Sequence, residues 1–94
     1  MTPEQREEGQ RLGELVHEAL KTALETGDPA SAAAQKACDL HRQWLSISYP
    51  NYTKEYHKEM AQVYTTDPRL KALYNQIAPN ASEFFHDAIN IYCS

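Results

Sequence analysis

The chain has 94 residues and a formal net charge of −4, with a sequence pI near 5.5, and its length suits one small domain. Its Lys and Arg residues are scattered, which argues against binding to nucleic-acid phosphates or to an anionic membrane surface. No apolar run approaches the roughly 20 residues that a membrane-spanning helix needs. The polar N-terminal segment lacks the features of a signal peptide, so we expect a cytoplasmic protein.

Capping residues, prolines and glycines divide the sequence into five predicted helices and no strand. Each predicted helix carries one apolar stripe at helical spacing, which is typical of a compact all-α domain. The predicted helices run from Thr2 to Thr26, from Ala30 or Ser31 to Ile47, from Asn51 to Tyr64, from Asp67 to Ile77 and from Asn80 to Tyr92.

The second and third predicted helices carry unusual apolar faces. At 100° per residue, the second helix places His41 and Trp44 among small alanines, with Ser48 on the same face. The third helix aligns two tyrosines with a methionine, and Glu59 and His57 lie at the margins of that stripe. The aligned residues are Tyr52, Tyr56 and Met60.

Residues 41–60 concentrate the aromatic residues around one turn. An aromatic stripe at helical spacing is more often core than binding site. However, buried polar side chains on these faces need partners, and Tyr49 and Tyr52 flank the corner at Pro50, as if they bordered an opening. A cavity with a few converging polar groups is typical of a small-molecule site. The residues alone leave both interpretations open.

Possible metal and catalytic groups are weak by comparison. Glu-x-x-His occurs twice, beginning at Glu14 and Glu83, and this is the ligand pattern of di-iron helix bundles. Helical phase places both carboxylates opposite the apolar stripes, whereas a bundle metal needs ligands that face inward. Cys38 lies on the flank of an apolar face, as a small buried hydrophobe would. We therefore expect neither an enzyme nor a bound metal or cofactor.

Four segments resemble the TipAS antibiotic-recognition domain family in order and separation. They are Asp39-Leu40-His41-Arg42-Gln43, His57 after a Tyr-rich corner, Val63-Tyr64-Thr65-Thr66-Asp67-Pro68-Arg69-Leu70, and Asp87-Ala88-Ile89-Asn90-Ile91-Tyr92-Cys93. Each is weak alone, and together they are fairly specific. The resemblance covers about residues 2–93 and is strongest from Asp39 onward.

This resemblance implies a globin-like five-helix domain with a cleft for thiopeptide antibiotics or other bulky hydrophobic drugs. It implies a role in drug sensing, as the ligand-binding part of a transcription regulator, or in sequestration that gives antibiotic resistance. We expect residues 1–94 to form this one domain without the family's DNA-binding half. The cleft is expected between helices 2, 3 and 5, and its predicted residues are His41, Trp44, Leu45, Ser48, Tyr49, Tyr52, Tyr56, Glu59, Met60, Phe84 and Tyr92.

Family members that capture thiopeptides covalently use cysteines in the third-helix region. Tyr52 and Glu59 fill those positions here, so the resemblance implies reversible binding of a small-molecule ligand. Direct contact with nucleic acid or membrane is not expected. The alternative is a protein-interaction or homo-oligomerisation module that uses the same aromatic face, and the sequence leaves the oligomeric state open.

Overall fold

The computed structural model describes residues 2–94. Within this range the chain forms five α-helices and no strand, which confirms the predicted all-α class. The helices are α1 (Pro3–Thr26), α2 (Ala32–Ser48), α3 (Lys54–Thr66), α4 (Pro68–Asn75) and α5 (Ala81–Tyr92). None of them combines the length and the apolarity that crossing a membrane would require, over the residues described.

Local hydrogen bonds explain where α1 and α2 begin. At the start of α1, the hydroxyl of Thr2 accepts from the backbone N–H of Gln5, and the Gln5 side chain accepts from the Thr2 backbone. Gly27 ends the helix in the left-handed conformation (φ 68°), which favours glycine. Ser31 caps α2 by accepting from the backbone N–H of Ala34.

The start of α3 differs from the prediction. Asn51 was expected to open this helix, but it lies in a turn, and Thr53 is the capping residue. The Thr53 hydroxyl accepts from the backbone N–H of Tyr56 at 3.0 Å. Asn and Thr both cap helices well, so residue type alone does not choose between these positions. Residues 51–53, which were predicted to be helical, therefore lie outside α3.

At the starts of α4 and α5, side chains accept hydrogen bonds from backbone N–H groups that have no partner within the helix. Asp67 caps α4 by accepting from the backbone N–H groups of the first turn. Asn80 precedes α5 with φ 65° and makes no capping bond. The side-chain oxygen of Asn75 accepts instead from the Ser82 backbone N–H at 3.0 Å. α4 ends at Asn75, two residues before the predicted Ile77, and this hydrogen bond joins its last residue to α5.

The helices pack as two pairs around α5. α1 packs along α2, α3 packs against α4, and α5 contacts all four. The α1–α2 pair has almost no close backbone contact with the α3–α4 pair. Large side chains must therefore fill the space between the pairs, and this space contains the site described below.

The core is made from the inward stripe of every helix, and small residues allow α5 to approach α2 and α3 closely. Phe85 of α5 is fully buried at its centre. The buried apolar side chains are Leu12, Val16, Leu20, Ala23, Ala34, Ala37, Cys38, Leu45, Ala61, Tyr64, Tyr74, Ala81, Phe85, Ala88, Ile89 and Cys93.

Candidate functional site

An apolar cavity of about 190 Å³ lies between the α1–α2 pair and the α3–α4 pair. Trp44 and Leu73 are 38% and 45% exposed, so they form its mouth, while Val16 and Tyr64 are buried in its wall. The residues that line it are Gly13, Val16, His17, His41, Trp44, Met60, Tyr64, Leu70, Leu73 and Tyr74. No acidic residue is among them.

Gly13 leaves room beside the indole of Trp44. A Cβ at this position would lie 3.7 Å from Trp44 Nε1, whereas a Cβ at Gly9, one turn earlier on α1, would meet nothing within 4 Å. A glycine inside a helix costs about 1 kcal/mol relative to alanine. A side chain longer than alanine at Gly13 would enter the cavity, because Gly13 is one of its lining residues.

Next to the cavity, four side chains form a continuous hydrogen-bond network, which we call the His–Tyr network. Tyr52 Oη lies 2.7 Å from His57 Nδ1, His57 Nε2 lies 2.8 Å from His41 Nδ1, and His41 Nε2 lies 2.8 Å from Tyr64 Oη. His41 and His57 are 1% and 0% exposed. The network links the corner before α3 to the cavity wall.

Hydrogen counting restricts how this network can be ordered. A neutral histidine has one N–H and one lone pair, so each ring donates once and accepts once. The His41–His57 bond needs one donor and one acceptor, so the three bonds must all point the same way. Either Tyr52 donates into the network and Tyr64 receives, or Tyr64 donates and Tyr52 receives. In both cases no ring nitrogen of His41 or His57 is left for a ligand.

Burial keeps both imidazoles neutral. Desolvation lowers the pKa of His41 to about 3, with repulsion from His57 and His17 acting in the same direction. Desolvation also lowers the pKa of His57 to about 4, and Arg42 adds to this effect. Burial raises the pKa of Tyr52 and of Tyr64. All four groups are therefore uncharged near neutral pH.

Three residues predicted for the cleft line the cavity, namely His41, Trp44 and Met60. The His41 and Trp44 rings stack with centroids 5.7 Å apart and an interplanar angle of 23°. His57, predicted at the edge of the α3 stripe, is fully buried instead. The cavity walls come from α1, α2, α3 and α4, whereas the prediction named helices 2, 3 and 5. Phe85 and its neighbours on α5 fill the core rather than line the cavity.

The predicted residues around the corner lie outside this cavity. Tyr49 stacks on Tyr56 with centroids 4.2 Å apart, and Tyr52 belongs to the His–Tyr network. Ser48 and Glu59 are exposed. The corner thus forms an aromatic surface of its own, on the far side of His41 and His57.

Leu45, Phe84 and Tyr92 are also placed away from the cavity. Leu45 is buried in the core and Phe84 is half-buried against it. The Tyr92 hydroxyl donates to Asp39 at 2.8 Å and accepts from Arg42 Nε at 3.1 Å. This polar cluster ties α5 to α2.

The remaining chemical groups lie where helical phase predicted. Glu14 and Glu83 are exposed on the outer faces of their helices. Cys38 is fully buried, and desolvation raises its pKa to about 12. Cys93 is also buried, near the Tyr52 hydroxyl, and burial raises its pKa. Both thiols are therefore protonated at neutral pH, which disfavours reaction with an electrophile.

Sequence reasoning missed most of the α1 and α4 wall. The apolar stripe of α4 includes Leu70, Leu73 and Tyr74. Such a stripe predicts core packing and does not by itself indicate a cavity. Gly13 gave the one local signal, since a glycine interrupts the apolar stripe of a long helix next to Leu12 and Val16. The missed lining residues are Gly13, Val16, His17, Tyr64, Leu70, Leu73 and Tyr74.

An all-helical domain with a preformed apolar cavity and few polar groups has the features of a small-molecule recognition domain. The chain belongs to the TipAS antibiotic-recognition domain family, whose model matches residues 1–92. This membership makes it a ligand-recognition domain in general terms. Comparison with curated proteins and with solved structures gave no match.

Proposed function

We propose that this domain binds a hydrophobic small molecule, such as a thiopeptide antibiotic or another bulky drug, non-covalently in the apolar cavity. Such binding would serve sensing or sequestration of the compound. The observation that carries the proposal is the preformed cavity of about 190 Å³ at the junction of four helices, in a member of an antibiotic-recognition family.

The size of the cavity suggests how a large ligand would bind. An apolar cavity of about 150 Å³ is large enough to hold benzene. The cavity here suits one or two fused rings, so one aromatic portion of the ligand would enter. The rest would lie over the mouth, against the exposed faces of Trp44 and Leu73.

Burial of apolar area would provide most of the affinity. Each 100 Å² of apolar surface removed from water contributes about 2.5 kcal/mol before the ordering costs of binding. The lining residues all lie on packed helices, which keeps those ordering costs low. Reversible binding is expected because both thiols are buried.

The test combines thermal shift with Trp44 fluorescence across a panel of thiopeptide antibiotics and neutral aromatic compounds. Trp44 is the only tryptophan, so its emission reports on occupancy of the cavity mouth. We expect at least one compound to raise the melting temperature and change the emission. Gly13→Leu should abolish both effects, because its side chain fills the cavity.

Gly9→Leu is the matched control, since Gly9 lies on the same helix and faces open space. It should bind like the wild type. If no compound affects the wild type, or if Gly13→Leu still binds as well as Gly9→Leu, the apolar cavity is not the binding site.

A protein-interaction role for the same region is the second candidate, favoured by the exposure of Trp44 and Leu73 at the cavity mouth. Sedimentation velocity over a hundredfold concentration range distinguishes the two. Homo-oligomerisation through this surface would be supported by two results together. The apparent mass of the wild type would rise with concentration, and that of Trp44→Ala would remain the mass of a monomer.

A further inference from the structure

We propose that the apolar cavity selects an uncharged aromatic ring with a hydrogen-bond acceptor, and that this acceptor is bound by the Trp44 Nε1–H. The inference rests on the proposed function and specifies the ligand class for the same cavity. A flat heteroaromatic ring with an unprotonated ring nitrogen is the simplest ligand of this kind.

The lining offers no counter-charge to a cation. The lining groups that can become negative are Tyr64 and Tyr74, and burial raises the pKa of both, so neither carries a charge near neutral pH. The carboxylates nearest in sequence, Glu14, Glu18 and Glu59, are exposed and do not line the cavity. A cation that entered would lose its hydration without compensation, at a large cost in free energy.

The His–Tyr network removes His41 as a polar contact for the ligand. Both of its ring nitrogens are within 2.8 Å of partners in the network, His57 and Tyr64. His41 also stacks on Trp44, so it contributes an aromatic surface to the cavity. The same bonds fix the ring in place, which keeps the cavity wall rigid.

Trp44 supplies a polar contact that the network does not use, beside the polar groups of His17, Tyr64 and Tyr74 in the lining. Its Nε1–H donates to no other group among the residues described, and it lies beside Gly13, where the missing side chain leaves it uncovered. An indole N–H is a donor only, so it recognises an acceptor and gives nothing to a second donor. A ligand acceptor placed in the plane of the indole would satisfy this group.

An aromatic cavity can also attract cations through ring faces, and this is the main competing possibility. Such attraction is strongest where several rings face one cation. Here much of the aromatic lining is packed against other rings of the protein. His41 and Trp44 stack on each other, and Tyr64 and Tyr74 pack against Phe85. The desolvation cost should therefore outweigh the attraction.

The experiment compares three bicyclic probes of similar shape by ligand-detected NMR titration at pH 8. Quinoline is neutral with an acceptor, naphthalene is neutral without one, and N-methylquinolinium carries a permanent positive charge. We expect quinoline to bind tightest and naphthalene about fivefold more weakly, as the loss of one net hydrogen bond implies. N-methylquinolinium should bind at least about 30-fold more weakly than quinoline, since its charge is uncompensated.

Trp44→Phe is the matched variant, because it removes the N–H and keeps an aromatic ring. It should abolish the preference for quinoline over naphthalene. Equal affinity for quinoline and N-methylquinolinium would overturn the charge selectivity. A preference for quinoline that survives in Trp44→Phe would overturn the role of Trp44. If none of the three probes binds the wild type while a thiopeptide does, only this inference fails; if nothing binds, the proposed function fails as well.

Discussion

The apolar cavity and the His–Tyr network lie side by side between the two helix pairs, and both include His41 and Tyr64. In the network, both ring nitrogens of His41 and of His57 have a hydrogen-bond partner. The cavity is mostly apolar, and the Trp44 Nε1–H at its mouth makes no hydrogen bond among the residues described. One region fixes the distance between the helix pairs, and the other uses the space that this distance creates.

The difference shows why a small domain can keep a preformed cavity. Unfilled apolar space normally favours collapse of the surrounding helices. Here the two imidazoles and their tyrosine partners bridge α2 and α3, which have almost no close backbone contact. The His–Tyr network should therefore contribute mainly to stability, and the apolar cavity mainly to ligand binding. Substitutions in the two regions should then have different effects.

The largest expected effect is acid destabilisation through the network. The pKa of each buried histidine is lowered on folding, so between pH 6.5 and about 4 the unfolded state binds protons that the folded state does not. Stability is therefore fully present above pH 6.5 and falls as the pH decreases. Chemical denaturation at a series of pH values should show a loss on the order of 4 kcal/mol by pH 4.5.

His57→Gln is the informative variant for this pH dependence, because glutamine can donate and accept but does not titrate. It should reduce the slope of stability against pH by about half between pH 4.5 and 6.5, since one of two coupled groups is removed. A slope equal to that of the wild type would mean that the network is not the origin of the acid sensitivity.

At constant pH 7.5, disruption of the network should cost more than damage to the cavity mouth. His57→Phe leaves the ring nitrogen of His41 without a partner inside the core, which should lower the free energy of unfolding by about 3 kcal/mol. Trp44→Ala removes a side chain that is already 38% exposed and should cost less, about 2 kcal/mol. Urea denaturation monitored by circular dichroism measures both.

His86→Phe controls for the loss of a histidine, since His86 is half-buried on α5 outside the network. Its effect should stay within about 0.5 kcal/mol. An equal loss of unfolding free energy in His57→Phe and Trp44→Ala would contradict the view that the network, rather than the cavity mouth, stabilises the domain.

The smallest expected effect concerns the two helical glycines. Gly9→Ala and Gly13→Ala should each stabilise the domain by about 0.5–1 kcal/mol, because both positions are helical and neither alanine Cβ meets a close contact. Only Gly13→Ala should weaken ligand binding, because its methyl group lies against Trp44 Nε1. Thermal unfolding and probe titration of the pair give the comparison, and equal binding by both variants would argue against a role for Gly13.

Much of the fold could be predicted from local signals. The predicted bounds at Thr2, Thr26 and Asp67 agree with the structure, since each is set by a cap or a glycine among a few neighbouring residues. The start of α3 could not be settled in this way, because Asn51 and Thr53 are both good caps and tertiary packing decides between them.

The candidate site was predictable only in part. Helical phase correctly placed His41 inward, because phase is a property of one helix. The bond from His41 to His57 depends on the distance between α2 and α3, which no pattern within either helix specifies. The cavity also depends on the separation of the two helix pairs. The contribution of α1 and α4 to its walls therefore could not be predicted from the sequence.

The most direct test of the account is the indole resonance of Trp44 in a ¹H–¹⁵N correlation spectrum. The domain has one tryptophan, so this signal is unambiguous, and its donor lies at the cavity wall beside Gly13. Quinoline should shift the indole resonance of the wild type and of Gly9→Leu, and it should leave that of Gly13→Leu unchanged. A Trp44 resonance that does not move when quinoline binds, or that moves equally in Gly13→Leu, would contradict binding in the apolar cavity.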